Sequence, residues 1–271
     1  MALNDQALAD TRTAFDAVAH DYGRANDENP ILVGMRRRTL AQVTSHVPPG
    51  SHLLDLGCGP GADAEALAQI GYRITAVDAS SAMVEEARQR VQRSGLAERV
   101  RVHHLGIQEL DRLGGAVFDG ACSNFGPLNC VPDLEAAARV LAARLRPGAA
   151  VVASVIGRIV PWELALFALR GDWPRIRVRF ARGLVAVPLE GRTVWMQYYT
   201  PGAFAKIFER AGFRKIDVRS LGLAAPPPYM ESFARRHPAL VERLMAVDDE
   251  LGGWPGLRQC GDHFVIVLRR S

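Results

Sequence analysis

Between residues 51 and 157 the apolar and polar positions follow two alternating periods. Short apolar runs at "SHLLDLGC" (51–58), "RITAVDAS" (73–80), "RVRVHHLG" (99–106), "FDGACSNFG" (118–126) and "AAVVASVIG" (149–157) have the length of buried strands. Between them "GADAEALAQIG" (61–71), "SAMVEEARQRVQRSG" (81–95) and "PDLEAAARVLAARLRPG" (132–148) carry helical spacing and end at a glycine. Strands alternating with helices on short turns predict an α/β fold with a doubly wound, mainly parallel sheet. The alternation breaks over 158–199, where an apolar stretch around Trp162 leads into an arginine-rich run and a hairpin, "LVAVPLEGRTVWMQYY", turning at Glu190-Gly191. It resumes as a helix (200–213) and a strand (215–222), breaks again over 223–261, and closes on the strand "DHFVIVLRRS" (262–271). Ahead of the sheet, residues 7–45 read as two helices separated by "DYGRANDENP". The expected organisation is one domain, with N-terminal helices (7–45), a ligand-binding core (51–157), two insertions (158–199 and 223–261) and a final strand (262–271).

The first strand ends in "LLDLGCGPGAD" (53–63), which crowds Gly57, Gly59 and Gly61 behind a carboxylate. Glycines at a strand-to-helix turn let another molecule approach the backbone closely, and Gly57 to Ala62 fits the loose dinucleotide pattern. Asp78, ending the second strand, is placed to hold ribose hydroxyls, or else to cap the helix that follows with Ser80 and Ser81. Asp55 separates the ligands. A carboxylate two residues before Gly57 would oppose a pyrophosphate, but it suits a ligand that carries positive charge, such as the sulfonium and ammonium of S-adenosylmethionine.

"LLDLGCGPG" at the first turn, "AVDAS" at the second and "LRPGA" before the fifth strand resemble, in this order, the class I S-adenosylmethionine-dependent methyltransferases. "AFDAVAHDYG" followed by "MRRR" resembles the N-terminal helices of the small-molecule branch of that family. The resemblance implies a Rossmann-like seven-stranded sheet whose last strand is antiparallel. It implies S-adenosyl-L-methionine as cofactor and methyl transfer to a small organic acceptor by in-line displacement at the sulfonium. It also implies that Gly57, Cys58 and Gly59 pack against the methionyl part and that Asp78 takes the ribose. Ala79 and Met83 would flank the adenine. The third strand lacks the acid that usually meets the adenine amino group, which leaves the backbone of Gly106 and Ile107 for that contact. Asn124 and Phe125 would line the sulfonium, and Tyr22 and Arg36 would close over the cofactor, with Arg37 and Arg38 as competing choices for the carboxylate-binding arginine.

In a parallel sheet ligands bind beyond the carboxyl ends of the strands. Both insertions leave from that edge, so with the N-terminal helices they are expected to form a cap over the acceptor. The cap holds Trp162, Tyr198, Tyr199 and Tyr229, either as acceptor contacts or as a small core of its own. "RIRVRF" is read as a strand with Arg175, Arg177 and Arg179 on one face, open to an anionic acceptor or to solvent. His20, near Tyr22, and His263, at the start of the last strand, are the candidate general bases; His103 and His104 end the third strand.

Composition adds limits. The net charge of +4 over 271 residues equals the excess of seven arginines over three acids within 158–192, so the basic character is local and no nucleic-acid surface is expected. No N-P-P-Y or D-P-P-Y motif is present. No apolar run has the length of a membrane span, and the N-terminus has no signal-like apolar core. The four cysteines form no C-x-x-C pair or metal-ligand cluster, which fits reduced thiols, a cytoplasmic setting and no metal. Two other classes remain: a methyltransferase-like binding module without turnover, and an NAD-dependent oxidoreductase, which Asp55 disfavours.

Overall fold

The computed structural model describes residues 2–271. Helix α1 (Ala2–Glu28) runs unbroken through "DYGRANDE". The expected separator is therefore helix, and the chain breaks only at Asn29. There the Asn29 side chain accepts from the amides of Ile31 and Leu32, and Pro30 opens α2 (Pro30–His46) in the first helical turn, where its missing N–H costs nothing.

The core then runs β1 (His52–Leu56), α3 (Ala62–Gln69), β2 (Arg73–Asp78), α4 (Ser81–Arg93), β3 (Val100–His104), β4 (Phe118–Ser123), α5 (Leu134–Arg144) and β5 (Leu145–Ile156). The first insertion folds as α6 (Pro161–Leu169), α7 (Trp173–Phe180) and the hairpin β6 (Val185–Leu189) and β7 (Arg192–Met196). Next come α8 (Pro201–Arg210) and β8 (Phe213–Leu221), then α9 (Glu231–Arg236) and α10 (Pro238–Leu251) in the second insertion, and finally β9 (His263–Arg270). The seven-stranded sheet has the order β3-β2-β1-β4-β5-β9-β8, with only β9 antiparallel to its neighbours. Strand order therefore reverses between β1 and β4, which opens a crevice at their carboxyl ends.

Alternation along the strands divides the core. Leu54, Leu56, Val151 and Ile266 face α5 and α8, whereas Leu53, Val152, Val265 and Val267 face α2, α3 and α10. The predicted hairpin turns where expected, with Glu190 and Gly191 both at positive φ. "RIRVRF" is a correction. It lies in α7, whose Asp172 side chain caps the helix and whose Pro174 sits in the first turn. Arg175 and Arg177 are exposed, while Arg179 turns inward to Glu163, so the three do not form one face.

Candidate active site

A cavity of about 320 Å³ opens at the strand crevice. Its floor is the turn after β1, where Gly57 and Gly59 hold φ of +73° and +52°. The Asp78 carboxylate organises this turn, accepting from the Gly59 amide at 2.8 Å and the Ser80 amide at 2.9 Å. Burial raises the Asp78 pKa despite these donors. Ala79, Met83 and Ile107 continue the wall, joined by Gln108, whose side-chain amide the sequence reading passed over. Gly106 is not on the wall, and its N–H is spent on Glu109 at 2.9 Å.

On the opposite side Tyr22, Asn26 and Arg36 reach in from α1 and α2. Arg36 is the arginine that faces the cavity; Arg37 pairs with Glu242 and Arg38 with Asp249 on the outer side of α2. Arg36 is already engaged, donating to Asp63 at 2.9 Å and Asp27 at 3.0 Å, and its guanidinium lies 5.5 Å from the Phe125 ring centroid. Asp63 is the acid on this wall. Burial raises its pKa, with Arg36 and Asn124 acting in the other direction. Its signal in the sequence was an acid in the first turn after the glycine loop.

Asp55 differs from the expectation. It is buried one layer behind the loop, with Oδ1 3.7 Å from the Cys122 thiol and no hydrogen-bond partner for Oδ2. Burial and the nearby Asp63 push its pKa well above the usual carboxylate range, and Asp55 does not line the cavity. The thiols of Cys58 and Cys130 do line the cavity; burial pushes Cys130 up to about 12, which keeps it a protonated, poor nucleophile.

The roof is α1 and the hairpin. Trp195 fixes them together, donating its amide to Thr11 and its indole N–H to Asp10, both at 2.9 Å. Asp16 accepts from Ser80 and the Ala82 amide, so α1 also spans the start of α4. Asn129 ties the loop after β4 to the end of β5 and to the segment after β7, through Ile156 and Gln197. The roof presents Leu8, Phe15, Val187, Leu189 and Met196, with Arg12 as its one charged side chain.

Several expected site residues lie elsewhere. His20 is exposed on the outer side of α1 beside Glu86, because its helical position turns it away from Tyr22. Tyr199 is buried in the hydrophobic core, edge-on to Phe204 at 5.5 Å. Tyr198 lies under Arg179, Trp162 donates to the Ala224 carbonyl, and Tyr229 is more than half exposed; none of these lines the cavity. The second insertion does not roof the cavity either. It packs on α2, where a Cβ on Gly34 would meet the Met245 sulfur. His263 is buried beside Phe125 and does not line the cavity.

This geometry fits the expected cofactor: a glycine cradle open to the cavity, a carboxylate at the end of β2 and an amide beside it. The sequence of residues 53–148 matches the family described as a methyltransferase domain. The ubiquinone biosynthesis O-methyltransferase of Xylella fastidiosa is 30% identical over 184 residues, covering 67% of this chain and 69% of that protein. The chain is a class I S-adenosylmethionine-dependent methyltransferase. The corresponding protein of Xanthomonas axonopodis pv. citri is 27% identical over 208 residues, 76% of this methyltransferase and 81% of that protein. Among solved structures, the 1,6-didemethyltoxoflavin-N1-methyltransferase of Burkholderia thailandensis, with bound 1,6-didemethyltoxoflavin and S-adenosylhomocysteine, superposes with a TM-score of 0.63. It is 20% identical, over 99% of this chain and 90% of that one, and shows the shared fold. The methyltransferase therefore uses S-adenosylmethionine and acts on a small molecule. Among its described residues no helix is long and apolar enough to cross a membrane.

Proposed function

We propose that this methyltransferase methylates a hydroxyl oxygen of a small, flat, largely apolar acceptor that carries an anionic group, and that the whole chain works as one catalytic unit. The observation that carries the reading is the roof. Apolar side chains from α1 and the hairpin line the cavity together with Arg12, an exposed residue with no ion-pair partner among the described residues. A single unpaired guanidinium at the rim of an apolar pocket favours a carboxylate on an otherwise apolar ligand. The choice of oxygen is supported by the relatives named ubiquinone biosynthesis O-methyltransferase. The arginines of α7 do not supply this contact: Arg179 is tied to Glu163, and neither Arg175 nor Arg177 lines the cavity.

In this reading S-adenosylmethionine supplies an electrophilic methyl group on its sulfonium. Asp78 binds the ribose hydroxyls, Gly57 to Gly59 admit the methionyl backbone, and Met83, Ala79, Ile107 and Gln108 surround the adenine. Arg36, oriented by Asp27 and Asp63, offers its remaining N–H groups to the methionyl carboxylate. The roof excludes water and holds the acceptor oxygen in line with the methyl group. Such positioning contributes roughly 7–11 kcal/mol to lowering a barrier of this kind.

The test is S-adenosylhomocysteine formation from S-adenosylmethionine with 3,4-dihydroxybenzoate and with uncharged catechol. The carboxylated acceptor is expected to have the higher kcat/KM, and Arg12→Ala is expected to reduce that preference about tenfold, equivalent to about 1.4 kcal/mol. Equal use of the two acceptors by the parent enzyme would remove the anionic acceptor from the reading.

A further inference from the structure

Beside Phe125 lies a second group of polar side chains that the cofactor site does not use. His263 is buried at the start of β9, opposite Ile156 of β5, and Ile156 lines the cavity. Strand neighbours in register point to the same face of a sheet, so the imidazole stands beside the cavity wall. Its Nδ1 is 2.7 Å from Asp262 Oδ2, and its Nε2 is buried with no hydrogen-bond partner. An unpaired ring nitrogen in the interior is unfavourable unless something approaches it. The Phe125 ring, which lines the cavity, lies 6.0 Å from the imidazole and nearly perpendicular to it. Phe125 itself holds a left-handed backbone, φ +62°, which costs a bulky residue energy and is kept only where the surroundings impose it.

The surroundings of the pair are also built. Arg179 of α7 donates to Glu163 of α6 at 2.8 Å and to the Gly157 carbonyl at 2.8 Å, and stacks 4.8 Å from the Tyr198 ring centroid. Glu163, Arg179, Tyr198 and Tyr229 are the titratable groups that face the Asp262–His263 pair. Burial would raise the Asp262 pKa, but the adjacent His263 and Arg179 hold it below the ordinary value, so its carboxylate is suited to accept a proton carried on His263 Nδ1.

We propose that His263, oriented by Asp262 and screened by the Phe125 ring, is the general base that takes the proton of the acceptor hydroxyl. The inference rests on the hydroxyl-acceptor reading above. As the acceptor seats and Phe125 turns aside, the hydroxyl O–H gives its proton to Nε2. The oxygen lone pair forms the bond to the methyl carbon. The S–CH3 bond breaks with its electron pair passing to sulfur, leaving S-adenosylhomocysteine. The imidazolium returns its proton to solvent when the roof opens. Asp262 is a positioning residue in this scheme, because it touches only the imidazole.

Two readouts test it separately. Nitrogen-15 spectra of histidine-labelled parent enzyme with S-adenosylhomocysteine, with His263 assigned by loss of its signal in His263→Asn or His263→Gln, are expected to show a ring protonated on Nδ1 and bare at Nε2. A ring protonated on Nε2 overturns the proposal. With 3,4-dihydroxybenzoate as acceptor, His263→Asn is expected to lower kcat roughly 10²–10⁴-fold and to abolish the acid limb of the pH–rate profile, with S-adenosylhomocysteine affinity within about threefold. Asp262→Asn is expected to lower kcat while KM stays unchanged. A folded His263→Asn enzyme that keeps more than about a tenth of parent kcat overturns the proposal, since general bases contribute more than that. A parent enzyme that methylates no dihydroxybenzoate refutes the hydroxyl reading instead, and the dyad is then decided by the tautomer alone.

Discussion

Two glycines of the same turn, two residues apart, should report on different properties. Gly57 has φ +73° and Gly59 has φ +52°, so alanine at either position is forced into the left-handed region, at about 1–2 kcal/mol. Their surroundings differ. A Cβ on Gly57 would lie 2.3 Å from Cβ and 2.6 Å from Cγ of Pro127, a rigid ring that opens a helical turn. Relieving that overlap adds roughly 1–3 kcal/mol, for a total of roughly 2–5 kcal/mol. A Cβ on Gly59 would meet nothing within 4 Å and would project into the cavity. For a chain somewhat larger than 150–250 residues, each kcal/mol lowers Tm by about 2–4 °C. Gly59→Ala should then lose about 2–8 °C and Gly57→Ala about 4–20 °C. The order reverses for ligand binding: Gly59→Ala should weaken S-adenosylhomocysteine at least tenfold, about 1.4 kcal/mol, and more than Gly57→Ala does. Isothermal titration and a melting curve on both variants check the pair. Binding by Gly59→Ala within twofold of the parent would mean that the ligand does not approach this turn.

Asp78→Ala should reduce S-adenosylhomocysteine affinity more than tenfold, because each charge-assisted hydroxyl contact contributes about 1.5–3 kcal/mol; titration on the folded variant measures it, and a change within twofold would limit Asp78 to organising the turn. Asp55 has a folded pKa well above its unfolded value, so its contribution to stability is complete at pH below about 4 and is lost as pH rises through the folded pKa. Asp55→Asn, uncharged throughout, should therefore gain stability relative to the parent as pH rises to 7, read as Tm against pH; a variant that falls further behind with rising pH contradicts the sign. Tyr199→Ala removes a core ring packed on Phe204 and should cost roughly 3–5 kcal/mol, seen as a lower Tm, with cofactor affinity within about threefold.

The glycine-loop wall of the cavity was readable because its residues are tied to strand ends, and strand ends follow from periodicity. Once "HLLDL" and "RITAVD" are strands, Gly57, Gly59 and Asp78 fall at the crevice by topology alone. Asp55 was misread by the same logic applied one step too far: side chains alternate along a strand, and Asp55 points with Leu53 toward the interior instead of the crevice. The acceptor half depends on how the insertions fold back, which local pattern does not encode. "RIRVRF" alternates as a strand would, yet Asp172 and Pro174 start a helix there, and that helix sends Arg179 to Glu163. The hairpin was legible from Glu190-Gly191, but its docking on α1 through Trp195, Asp10 and Thr11 is a tertiary contact that no local signal announces. Tyr199 looked like a pocket aromatic because it ends the hairpin; its bridge to Gly157 carries it into the core.

Phe125 is where the two halves meet, and its backbone explains why. The turn after β4 places Phe125 and Gly126 in succession at positive φ, and the Asn124 side chain accepts the Phe125 amide at 3.1 Å. The Arg36 guanidinium lies over one face of the ring, and the His263 imidazole lies 6.0 Å from it and nearly perpendicular. Arg36 is itself held by Asp63 from the helix of the glycine turn and by Asp27 from α1. A ligand that draws Arg36 toward its carboxylate therefore shifts the contact that holds the Phe125 ring in place. In the proposed reaction this couples cofactor binding to the Phe125 ring that lies beside the His263 imidazole.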